Sequence, residues 1–279
     1  MFMDFDIDRM DFTTASLSSF LRGWAPDSKL DLSKFAKKTD FFLTGGVKGT
    51  LDSLAVDVGL SSRDGYLDAD LLVRGITDKV RPIRIDGTAS TEDLDVGNIV
   101  GSTLIRETSL STAFRANLGN AEEKMEVAID SLTVDRASIK GYDYSGLAAV
   151  GSFDADGFFG TVVCDDPNLN FLFQGALALS SKTNNAVYKF FANVGYADLN
   201  AIHLDKRGLS RAKFATTANF NRTGKGDMLG SIDVTGIELE NSDGRHNIGN
   251  ISISSHQNDD VFRGRFNSSF ANGSFKGTA

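Results

Sequence analysis

Residues 169–179 read LNFLFQGALAL, which puts Leu169, Phe171, Phe173, Gly175, Leu177 and Leu179 at every second position. A helix, turning about 100° per residue, would scatter these side chains around its circumference. An extended chain sends alternate side chains to opposite faces, so the run reads as a strand with one apolar face. The pattern recurs in both directions. Leu54, Val56, Val58 and Leu60 alternate with Asp57 and Gly59, and Leu67, Ala69, Leu71 and Val73 alternate with Asp68 and Asp70. Leu110, Thr112, Phe114, Ala116 and Leu118 form another such face. Met125, Val127 and Ile129 follow, then Leu132 and Val134 after a one-residue slip at Asp130-Ser131, which reads as a bulge. Toward the C-terminus come Phe214, Thr216, Ala218 and Phe220, then Ile251 and Ile253, then Phe262, Gly264, Phe266, Ser268 and Phe270.

Turn signals separate these runs: Arg63-Asp64-Gly65, Asp156-Gly157, Ser242-Asp243-Gly244 and Asn272-Gly273. Asp-Gly and Asn-Gly supply the positive φ of hairpin turns, so neighbouring strands are expected to be antiparallel. Helix is rare. Leu17, Phe20, Leu21 and Trp24, between Ser16 and Pro26, have helical spacing, and Leu94 to Val100 reads as a helical turn. Asn184 to Leu204 fits helix or strand, and its β-branched and aromatic content favours strand. Residues 74–108 are the least regular and read as a separator between sheet segments. The expected organisation is an entry segment at 1–40, a sheet segment at 41–140 and a second at 141–279 continuing the same groove.

The net charge is −8 over 279 residues, which argues against nucleic-acid binding, because phosphate neutralisation needs a basic surface. No apolar run is long enough for a transmembrane helix, and Met1 to Met10 lacks the basic-then-apolar order of a signal peptide. The chain stops at Gly277-Thr278-Ala279, where another turn or strand is expected, as an internal piece of a longer protein would. Phe (21) far outnumbers Tyr (5) and Trp (1), which disfavours a sugar site built on polar-tipped aromatic rings.

No set of residues converges on catalysis, so the chain is read as a non-enzyme that needs no cofactor and no metal. Asp4, Asp6, Asp8 and Asp11 lack the Gly and Glu of a calcium loop, with Arg9 and Ala15 at those places, and alternate with Phe5 and Ile7 as the wet face of a strand. His203, His246 and His256 are dispersed, and Cys164 is the one thiol. Asp165 and Asp166 are adjacent on a strand, point to opposite faces, and cannot flank one glycosidic bond. Asp205-Lys206-Arg207-Gly208 reads as a basic turn with a surface ion pair.

The apolar faces admit two readings. Two sheets pressed together make a β-sandwich, whereas one long curved sheet leaves an open groove, and alternation serves both. On composition the sandwich is favoured.

Several stretches resemble the TamB-like proteins of the Bacteroidota, within the AsmA-like group. They are Gly141-Tyr142-Asp143-Tyr144-Ser145-Gly146, Cys164-Asp165-Asp166-Pro167-Asn168-Leu169-Asn170-Phe171, Tyr196-Ala197-Asp198-Leu199 with Leu204-Asp205-Lys206-Arg207-Gly208, and Gly244-Arg245-His246-Asn247-Ile248-Gly249-Asn250-Ile251. Their order and spacing carry the resemblance, which is best from about residue 125 onward and weakest before residue 45. It implies an all-β fold: a long curved, mainly antiparallel sheet, or β-taco, around a hydrophobic groove, and so reverses the preference for a sandwich. It also implies a non-catalytic segment of a periplasmic lipid conduit, anchored elsewhere in the inner membrane. Such a conduit moves phospholipid toward the outer membrane and supports outer-membrane biogenesis. The expected partners are phospholipid acyl chains and outer-membrane assembly proteins. The expected groove lining is Leu54, Val56, Val58, Leu60, Leu110, Phe114, Leu118, Leu169, Phe171, Phe173, Phe214, Phe220, Phe262, Phe266 and Phe270. The alternatives are a module that pairs its strand edges with outer-membrane clients, and a carbohydrate-binding or carbohydrate-active β-protein.

Overall fold

A computed structural model describes residues 2–13, 16, 40–50, 52–78, 80–100, 102–120, 123–179, 186–222, 228–258 and 261–278. The chain divides into two units, Met1–Gly146 and Leu147–Ala279. Tyr142–Tyr144 pairs with the strand before it, within the first unit.

The first unit holds β1 (Phe2–Thr13), β2 (Asp40–Thr50), β3 (Ser53–Ser62), β4 (Gly65–Arg74), β5 (Arg84–Asp95), β6 (Ile105–Asn117), β7 (Glu126–Ile139) and β8 (Tyr142–Tyr144). A single helical turn, α1 (Val96–Val100), follows β5 as expected. Each strand pairs antiparallel with the next in sequence. The expectation that 74–108 separates two sheet segments is corrected: β5 bonds to β4 and β6 and continues the ladder. Its regular strand was hidden by Gly87, Thr88, Ala89, Ser90 and Thr91, which are too small or polar to mark a face. The bulge at Asp130-Ser131 is present, because Ala113 faces Ser131 while Phe114 faces Ile129.

The second unit holds β9 (Leu147–Asp154), β10 (Gly157–Asp166), β11 (Leu169–Leu179), β12 (Ala186–Asp198), β13 (Ser210–Arg222), β14 (Met228–Asn241), β15 (Gly244–Asn258), β16 (Val261–Ser268) and β17 (Asn272–Thr278). These form the same sequential antiparallel meander. The ambiguous stretch after Asn184 is strand, as favoured, and ends in turns after Asp198. Asn272-Gly273 is not a turn but the start of β17. The turn lies at Ser268–Ala271, where Ser268 N donates to Ala271 O and Ala271 N donates to Ser268 Oγ, both at 2.9 Å. The helix expected from Ser16 to Trp24 lies, apart from Ser16, outside the described residues.

The fold is therefore all-β and antiparallel. Within each unit the described strands belong to one sheet, its first and last strands do not pair with each other, and no second sheet is present among the described residues. That removes the sandwich. Burial comes instead from side chains shielding one another along a face: Phe173 is 7% exposed, with the rings of Phe158 and Phe190 at 6.0 and 5.3 Å.

Candidate functional site

Cross-strand register shows which side chains share a face, since directly opposed residues project to the same side. In the first unit one row runs Val47, Val56, Leu71, Gly87, Phe114, Ile129 across β2 to β7, and another runs Leu43, Leu60, Leu67, Thr91, Leu110, Val134. Of the expected lining residues in this unit, Leu54, Val56, Val58, Leu60, Leu110 and Phe114 all fall on this face. β1 adds Phe12, whose ring stacks on Phe41 at 5.5 Å. Leu118 lies just past β6, where its N–H donates to Ile83 O at 3.0 Å, and it is exposed.

In the second unit one row runs Ala149, Val162, Phe173, Ala192, Thr216, Val234, Ile251 across β9 to β15. Next to it run Gly151, Gly160, Gly175, Phe190, Ala218, Ile232, Ile253 and Phe266, the last on β16. Leu169 and Phe171 pair into this face through Ala197 and Val194, Phe214 through Val194 and Phe220 through Tyr188, while the backbone of Phe262 is in register with Gln257. Phe270 is the exception. It sits in the β16–β17 turn with 68% of its surface exposed, because the alternation that placed it on the face ends at Ser268. Sequence reasoning missed Phe153, Phe158 and Val162 on the same face. The signal was there: Phe158, Gly160, Val162 and Cys164 alternate directly after the Asp156-Gly157 turn.

The glycines of this face have a structural reason. Gly151 and Gly175 adopt φ of +153° and +141°, and a Cβ on Gly175 would stand 2.3 Å from Lys189 O. A face stripped of side chains at aligned positions lets strands bend toward it, the glycine-kink device of curved sheets.

The opposite faces are held by charge. Arg115 donates to both oxygens of Asp130 (2.9 and 2.6 Å), and Arg136 reaches Asp93 and Glu107 at 2.8 and 2.9 Å. The Arg115 guanidinium lowers the Asp130 pKa, and the two groups are exposed, so the pair adds little stability. In the second unit this face is not uniformly polar: Phe159, Val150, Val163, Val187 and Phe191 stand exposed on it.

The residues considered for chemistry serve structure. Asp165 and Asp166 project to opposite faces, and the buried Asp166 accepts the Asn168 N–H at 2.8 Å to make the β10–β11 turn. Burial pushes the Cys164 thiol up, the reverse of nucleophile activation. In the β12–β13 loop Ile202 is 1% exposed and plugs the turn. Asp198 accepts from Ala201 N and Arg211 Nε, both at 3.1 Å, while Asp205 accepts from Arg207 Nε and Ser210 Oγ, both at 2.7 Å. These bonds hold both carboxyls below their ordinary range, Asp198 first through the Ala201 N–H and Asp205 first through the Arg207 guanidinium. The basic turn is thus the expected ion pair. Among the described residues no three His, Cys, Asp or Glu side chains gather as metal ligands, and no helix is long and apolar enough to cross a membrane.

Comparison of the chain with protein-family models, with curated proteins and with solved structures finds no match in any of the three.

Proposed function

We propose that this chain is a non-catalytic segment of a lipid conduit, in which the apolar sheet faces hold phospholipid acyl chains away from water. The supporting observation is the continuity of the apolar rows: in each unit they cross strand after strand, with no second sheet over them among the described residues. A globular core would close such a face, whereas a conduit leaves it available to hydrocarbon.

The energetics suit transport. Moving an acyl chain of roughly fifteen methylenes into water costs about 12 kcal/mol at about 0.8 kcal/mol per CH₂. A strip of Val, Leu, Ile and Phe removes most of that barrier yet holds the chain no more tightly than a bilayer does, so lipid can leave again. The reading agrees with the resemblance to TamB-like proteins. It places the chain in the periplasm, within a longer protein anchored in the inner membrane that carries phospholipid toward the outer membrane.

The test is a photo-crosslinking amino acid placed at Phe114 or Phe220 on the apolar faces and at Lys189 on the opposite face. In bacterial cells the first two positions should capture phospholipid and the third should not. Capture at all three positions, or at none, refutes the proposal.

One observation favours a second reading. Among the described strands of its unit β1 bonds only to β2, and β17 only to β16, so each presents a strand edge that no described strand covers and that a client chain could pair with. Crosslinkers at Ser274 that trap only lipid would dismiss it.

A further inference from the structure

On the polar faces most cations meet a carboxylate, as Arg115 meets Asp130, Arg211 meets Asp198 and Glu240, and Lys213 meets Glu238. One group does not. His256, Arg263 and Lys276 stand directly opposite one another across β15, β16 and β17, and Arg265 follows on the same face, opposite Ser254 and Ser274. All four side chains are exposed, and none forms an ion pair or hydrogen bond with another described residue.

Like charges directly opposed across a sheet destabilise it. Arg263 and Lys276, directly opposed across β16 and β17 and paired with no carboxylate among the described residues, are therefore a cost to the fold, and they occur in a chain whose net charge is −8. Opposed residues on neighbouring strands lie about 5 Å apart, close enough for their long side chains to converge on one anion. The four residues, with Gly264, Ser274 and Phe275, line a shallow pocket of about 400 Å³. By contrast, in the pocket of about 330 Å³ lined by Arg211, Lys213, Glu238 and Glu240 the paired charges already satisfy one another.

We propose that His256, Arg263, Arg265 and Lys276 form a binding site for a phosphate group, carried either by a soluble phosphate or by a lipid headgroup. A carboxylate brings one charge and two oxygens. A phosphate brings up to two charges and three or more oxygens, which match two planar guanidinium forks and a point-charge ammonium. The site lies on the face opposite the apolar rows and does not rest on the conduit reading.

The test follows the arginine Nε resonances of the full chain as inorganic phosphate is added at constant ionic strength, and then dihexanoyl phosphatidic acid below its micelle-forming concentration. Saturable shifts at Arg263 and Arg265 are expected, together with a loss of affinity of about tenfold or more in the Arg263→Gln, Lys276→Gln double variant. Arg115→Gln, which removes a guanidinium already held by Asp130, should leave the affinity unchanged. Binding of inorganic phosphate alone assigns the site to soluble phosphates, and binding of both ligands assigns it to headgroups as well; each supports the phosphate site. Should the double variant not fold, Arg265→Gln alone is expected to weaken binding several-fold. Absence of saturable shifts overturns the proposal. Undiminished affinity in the variants overturns it equally.

Discussion

Leu71 and Leu72 are neighbours in β4 with the same side chain and opposite surroundings. Leu71 is half-buried on the apolar face, between Val56 and Gly87, and its Cδ2 leans to 2.8 Å from where a Gly87 Cβ would sit. Leu72 is half-buried on the other face, between Ala55 and Asp86. Replacing either by Asp removes about half of a leucine's burial, so each variant should lose about 1 kcal/mol of stability. Their effects on lipid should diverge. A carboxylate under a bound acyl chain costs about 3 kcal/mol, and at about 1.4 kcal/mol per factor of ten that is about a hundredfold weaker loading. Leu72→Asp places its charge among Asp86 and Arg74, away from the hydrocarbon, and should load as the parent does. The assay is displacement of a fluorescent acyl probe, with phospholipid retained per chain measured by extraction and circular dichroism confirming the fold. Equal loading by the two folded variants would refute the reasoning, because the faces would then not differ in function.

Gly175→Val should destabilise the second unit by at least about 2 kcal/mol in urea titration, because φ of +141° and the 2.3 Å approach to Lys189 O leave no room for a branched Cβ. The Cys164 thiol, 3% exposed and pushed up by burial, should resist an aromatic disulfide reagent at pH 8 and react fully once the chain is unfolded. Asp198→Ala should cost about 1–2 kcal/mol at neutral pH through loss of the Ala201 N–H and Arg211 partners. Because the folded-state pKa of Asp198 lies below its unfolded value, this contribution is complete above a pH of about 4 and is lost as pH falls through the folded pKa, so variant and parent should converge in acid melts.

Most of the strand framework was legible because its signal is local. Period two in Leu54–Leu60 or Leu169–Leu179 needs no tertiary knowledge, and the slip at Asp130 announces itself as a break in that period. The readings that failed did so where local chemistry and register compete. Asn272-Gly273 has hairpin composition, yet Ser268 closes the turn earlier with its own hydroxyl. Phe270 keeps the alternating count but sits in that turn, and β5 was concealed by small side chains. Whether an apolar face meets a second sheet is not written in alternation at all, since a sandwich and an open sheet share one pattern. The cation row was equally out of reach: His256, Arg263 and Lys276 are far apart in the chain and meet only through the register of β15, β16 and β17. The bulge beside Phe214 and the exposed Phe159 and Phe191 likewise depend on pairing that no single strand reveals.

The central claim is that the continuous apolar faces shelter hydrocarbon, and native mass spectrometry of the chain purified from bacterial cells under mild conditions tests it most directly. The expected spectrum carries phospholipid adducts that Leu71→Asp strips away and Leu72→Asp retains. A folded chain that emerges free of lipid, with both variants indistinguishable from it, would contradict the account.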